Sequence, residues 1–178
     1  MKIYKNLIIA LSKCLLLSAC AVNHPIGNDR IQDDSRVDFL VSNKATKQQV
    51  YLLLGQPSDV LYEPSFKTSK WIYYGGTFGG LHGVAEVTLV QTTMSGHNVR
   101  LKKETLIFNE SNKLIKRHLE VKTDKFRVWD SGKLLDHVKN DEKPARVKAE
   151  MERLGLKFDQ QKAGAVSDAD YFFVKNKS

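Results

Sequence analysis

Residues 46–60 read TKQQVYLLLGQPSDV. Thr46 and Gln49 stand at the spacing of a capping box: the threonine hydroxyl accepts the N–H three residues on, and the glutamine side chain reaches back to the threonine N–H. Val50, Leu53 and Leu54 follow as an apolar stripe at helical spacing. Gly55 stands where a left-handed residue ends a helix, and Pro57 forbids continuation. The stretch predicts a short helix with a marked start and stop. A helix this short is marginal in water, so its stripe must press onto something else.

Upstream, Ser35 can cap a second short helix, with Asp38 three residues on and Val37, Leu40 and Val41 on one side. Downstream the pattern changes to strands. WIYY (residues 71–74) is aromatic and β-branched; Ala85, Val87 and Leu89 alternate with Glu86, Thr88 and Val90. SGHN (95–98) reads as a turn, LKKETLIF (101–108) as a strand, NESN (109–112) as a tight turn and LIKRHLEV (114–121) as a further strand. Turns this short join antiparallel neighbours. An antiparallel sheet can leave one face in water, which accommodates the many lysines of these strands. The predicted fold is α+β: two short N-terminal helices packed on a three- or four-stranded antiparallel sheet.

The ordered set Thr46, Val50, Leu54, Gly55, Pro57, Trp71, Tyr73, Phe108 and Asn109 resembles the SmpA/OmlA (BamE-like) family of outer-membrane lipoproteins, over about residues 35–123. The chain departs from the family pattern in three places. Ala45 stands where the family often has glycine before the capping threonine, the stretch 75–98 is longer than a plain hairpin, and residues 124–178 continue beyond the matching part. The resemblance implies binding and scaffolding rather than catalysis.

The N-terminus fits that resemblance. Lys2 and Lys5 precede an apolar run from Leu7 to Leu17, interrupted by Ser12 and Lys13. The run has the size of a signal-peptide core, about 7–15 residues. Leu17-Ser18-Ala19-Cys20 resembles a bacterial lipobox, which predicts cleavage after residue 19 and acylation of Cys20. The plainer reading is a secretory signal with a chance cysteine. Ala21, in the place of an aspartate that would retain a lipoprotein at the inner membrane, directs the expectation to the outer membrane, facing the periplasm. Loss of residues 1–19 would take the net charge from +8 to +5 and leave Cys20 as the sole cysteine. Residues 20–34, rich in Asp, Asn, Gly and Pro, read as a flexible tether, with a reach of about 20 Å. His24 within it reads as solvated.

The C-terminal extension (124–178) predicts one helix at about 141–154, capped by Asp141, with Pro144 in its first turn, Val147, Met151 and Leu154 on one side and Gly155 at its end. YFFV (171–174) reads as an edge strand, or as a strand that pairs with a partner.

No catalytic constellation is expected. The glycine run GGTFGGLHG (75–83) lacks the dinucleotide spacing and no Gly-Lys-Ser/Thr follows it, so it reads as a flexible loop, with Phe78 and Leu81 as candidate partner contacts. The five histidines show no paired metal spacing, so neither a metal nor a cofactor is expected. The stretch 100–127 has nine basic and four acidic residues. Export would exclude nucleic acid as its partner, which leaves anionic lipid headgroups, with Lys116, Arg117 and Lys122 as candidate contacts, or a solvated sheet face. Two functions fit: an accessory scaffold subunit of the machinery that assembles outer-membrane β-barrels, or a lipoprotein of a secretion or conjugation apparatus or an inhibitor-type binder on the same fold.

Overall fold

A computed structural model describes residues 21–81, 97–126, 142–160, 162 and 173. The helix at 46–60 forms as its ends dictate. Helix α2 (Lys47–Leu54; α1 lies upstream) carries both halves of the capping box, with the Gln49 side chain accepting the Thr46 N–H at 2.8 Å. Gly55 closes it at φ +81°, a backbone conformation that side chains disfavour. Helix α1 (Asp34–Ser42) is capped by Asp33, not Ser35: the Asp33 carboxylate accepts the Ser35 N–H at 3.0 Å. The Asp33 carboxylate, two residues earlier, also accepts the Ser35 hydroxyl at 2.6 Å.

Five strands build one antiparallel sheet: β1 (Ala21–Gly27), β2 (Asp59–Glu63), β3 (Thr68–Leu81), β4 (His97–Phe108) and β5 (Leu114–Phe126). Strand β3 is the axis. One of its edges pairs with β4. The other is shared, β2 covering residues 68–72 and β1 covering residues 75–81. The sheet is therefore four strands wide along its length. Helix α3 (Lys143–Arg153) completes the α+β architecture.

The core lies between the helices and one sheet face. Trp71 and Tyr73 of β3, and Leu106 and Phe108 of β4, alternate onto that face. They meet Val37 and Leu40 of α1, Val50 and Leu54 of α2, and Val147 and Met151 of α3. Each such side chain, fully buried, contributes about 1.5–3 kcal/mol. On the other face, the Phe173 ring lies 5.5 Å from that of Tyr74.

Several expectations are corrected. Residues 21–34 are no tether: β1 is hydrogen-bonded into the sheet, a 3-10 turn (Asp29–Gln32) follows, and Ile31 is fully buried. Polar composition hid the strand because β1 is held by backbone bonds to β3. The boundaries 35–123 do not delimit the folded unit either, since Ile31, Val147 and Met151 share its core. The glycine run is no loop up to residue 81; it is the C-terminal half of β3, paired with β1 throughout and with β4 as far as Gly79. Gly75 has a specific role: a Cβ there would stand 2.2 Å from the Asn28 carbonyl oxygen, where the chain crosses from β1 toward the core. Leu53 is not core but 37% exposed, because α2 seats on Lys47, Val50 and Leu54. His97 and Asn98 belong to β4 rather than to a turn. Helix α3 has Glu142 at its N-cap with no side-chain cap bond, and Asp141 lies outside the described residues. In the YFFV patch Phe173 is helical, not extended. The alternating stretch 85–90, the signal segment and Cys20 lie outside the described residues.

Candidate functional site

Lys47 opens α2, yet only 2% of its surface is exposed. Its Nζ lies 2.7 Å from Glu150 Oε1 of α3, and over the rings of Trp71 and Phe108 at 5.6 and 5.5 Å. The same Glu150 oxygen accepts the Trp71 indole N–H at 3.2 Å. Arg153 grips the carboxylate with two N–H donors, at 2.7 and 3.0 Å. Burial pushes Glu150 upward, but hydrogen bonds from Arg153 and Lys47 outweigh it and hold the carboxyl below its ordinary value. Burial lowers the Lys47 ammonium, against the pull of Glu150. The carboxylate of Glu150 is engaged by Lys47, Trp71 and Arg153, an arrangement that holds α3 on the sheet.

This cluster floors a cleft of about 390 Å³ at one end of the sheet. Tyr62, Lys67 and Glu110 of the β4–β5 turn also line it, and Lys67 pairs with Glu110 at 3.8 Å. Asn112 in that turn has φ +57° and Asn109 Oδ1 accepts the Lys113 N–H, which fixes the turn's shape. Beside the cleft, Tyr62 and Phe66 are 66% and 71% exposed, and Leu61 is partly exposed. Exposed aromatic side chains are of the kind enriched in protein-contact surfaces.

A second charge network ties α1 to the sheet. Arg117 of β5 reaches Glu104 at 2.7 Å, Asp34 at 2.6 Å, and Asp38. Lys102 adds bonds to Asp34 at 2.8 Å and to the Ile31 carbonyl at 2.5 Å. Glu104 is fully buried. Hydrogen bonds to Glu104 and Asp34 hold the Arg117 guanidinium above its ordinary value. Arg117 is thus an internal staple, which removes it from the candidate lipid contacts. Lys122 stands 6.0 Å from the Phe173 ring, and Lys103 pairs with Glu120. Lys116 is exposed. Adjacent strand residues point to opposite faces, so the three candidate contacts do not form one patch. Counting charge along the chain could not register this.

Phe78 stands between His24 and Val99, and Leu81 opposite Ala21, within the sheet rather than on a loop. The cleft was missed in the sequence, although one signal was present. Glu150 sits in the apolar stripe of α3, three residues after Val147 and beside Met151, and a carboxylate there needs a buried partner. No cluster of His, Cys, Asp and Glu among the described residues has the arrangement of a metal site, and no helix among them is long and apolar enough to cross a membrane. Comparisons with family models, with curated proteins and with solved structures found no match for this chain.

Proposed function

We propose that this protein is a non-catalytic lipoprotein of the outer membrane, anchored through acylated Cys20, that binds other proteins at the periplasmic surface as an accessory scaffold of β-barrel assembly. The observation that carries the reading is Leu17-Ser18-Ala19-Cys20 immediately before an α+β domain of the kind that the SmpA/OmlA resemblance implies. The exposed Tyr62 and Phe66 beside the cleft supply the docking surface in this reading, replacing Phe78 and Leu81. Confinement to a membrane raises effective concentration, so a weak site suffices.

One observation favours the second reading, a lipoprotein of a secretion or conjugation apparatus or an inhibitor-type binder on the same fold. The segment beyond the resemblance is integral: Glu150 of α3 completes the buried cluster, and the Gln56 side chain exchanges two hydrogen bonds with the Asp159 backbone. A minimal assembly subunit would not need it.

Affinity purification from detergent-solubilised envelopes, with identification of the co-purifying proteins, separates the two. Barrel-assembly components support the first reading and secretion or conjugation components the second. Tyr62→Ser with Phe66→Ser is expected to abolish co-purification while leaving membrane attachment intact. Loss of palmitate labelling in Cys20→Ser, against labelled wild type, checks the anchor.

A further inference from the structure

The anchor and the sheet are continuous. Ala21, the residue after Cys20, pairs with Leu81, and all seven residues of β1 stay in register with β3 to Gly27 opposite Gly75. The next residue is fixed as well: the Asn28 N–H donates to the Tyr74 carbonyl at 2.8 Å, and its side-chain amide to the Leu54 carbonyl at 2.8 Å. Ile31 is then locked in the core. No slack separates residue 20 from the folded domain.

The register also says which end of the domain residue 20 adjoins. Among the described residues β3 runs to Leu81, β4 from His97 and β5 to Phe126, with His97 opposite Phe126. These residues share the end where Ala21 lies. The cleft is at the other end, where Ser69 pairs with Phe108 and the chain turns through residues 109–112. From Leu81 back to Ser69, at about 3.3 Å per residue, the sheet runs about 40 Å.

We propose that the lipidated domain stands on the bilayer by the Ala21–Leu81 end of its sheet, with the sheet as a strut that holds the cleft about 40 Å from the lipid surface. This rests on the acylation of Cys20 proposed above. The occupant of the foot is the lipid surface itself, because a diacylglyceryl group on residue 20 leaves β1 no freedom to carry that end elsewhere. Arg100, exposed in the row of Thr77 and Thr123, lies four residues, about 13 Å, from Leu81 and is a cation in the half of the sheet nearer the phosphate headgroups. Lys116, opposite Ile107, lies toward the cleft end, so it does not share that contact.

Energy transfer measures the heights. The mature chain has no thiol besides acylated Cys20, so a single introduced cysteine takes the donor cleanly. Thr123→Cys marks the foot and Glu110→Cys the cleft, in full-length lipidated protein reconstituted into vesicles with acceptor-labelled headgroups. The expected result is high transfer from position 123 and several-fold lower transfer from position 110. A flexible Gly-Ser insert between Cys20 and Ala21 is expected to erase that difference. Equal transfer from both positions without the insert overturns the strut while leaving the anchor standing. Failure of the wild-type protein to float with the vesicles overturns the anchor, and the strut with it.

Discussion

The Asn28 carbonyl oxygen lies over Gly75 at a distance that leaves no room for a side chain: a Cβ would approach it to 2.2 Å. This crossing fastens the first strand to the core. Gly75→Ala is expected to force Asn28 and Ile31 outward, at a cost of about 1–3 kcal/mol. Thermal melting reads the loss, and limited proteolysis should show earlier cleavage near residue 28. An unchanged melting temperature with wild-type protease resistance would contradict the close approach.

The three leucines of α2 separate by burial. Leu54 is 1% exposed and Leu53 is 37% exposed. Leu54→Ala is expected to destabilise by about 2–5 kcal/mol, and Leu53→Ala by less than about 1 kcal/mol. Denaturant midpoints with unchanged slopes would measure both.

Glu150 and Lys47 are unequal partners. Glu150→Gln leaves the buried Lys47 ammonium without its counter-ion, for which about 3–5 kcal/mol is expected. Lys47→Met removes the ammonium and leaves Glu150 held by Arg153 and Trp71, so a loss below about 2 kcal/mol is expected. The reverse ranking in chemical denaturation would show that the Lys47 contact is the principal one.

Acid should weaken the fold through two carboxylates. Glu150 is held below its ordinary 4.5 by bonds from Arg153 and Lys47 that outweigh its burial, and Asp34 below 3.8 by Lys102 and Arg117. With a depressed folded value, the unfolded chain takes up the proton first as pH falls. The stabilisation is therefore complete above the ordinary values and is lost below them, as pH drops through the folded ones. Melting temperatures should fall below about pH 4.5, and Glu150→Gln should flatten part of that decline. An acid limb that is identical in the variant would remove Glu150 from this account.

The elements with punctuation were legible in the sequence. The capping box of Thr46 and Gln49, the stop at Gly55 and Pro57, and the aromatic strand around Trp71 all stand where local chemistry puts them. The elements held by distant partners were not. Residues 21–27 carry no strand pattern of their own and become a strand because β3 offers its edge. Residues 52–54 are all leucine, so hydropathy could not choose which would face the sheet. In the cleft, Lys47 and Glu150 stand 103 residues apart, and only the fold joins them. The charge of residues 100–127 was countable, but its partition between Arg117, turned toward Asp34 and Asp38, and exposed Lys116 depended on strand facing.

The position of α3 makes completion of the core depend on a long-range contact. Its Met151 is buried among residues from the first half of the chain, and the Tyr51 hydroxyl donates to the Lys157 carbonyl. The core therefore lacks its α3 side until about residue 159 is available, and its completion is a long-range closure. A chain threaded through a translocation pore would remain pliable for most of its passage. It would also leave apolar surface exposed until the last helix arrives, the interval in which a chaperone has something to hold.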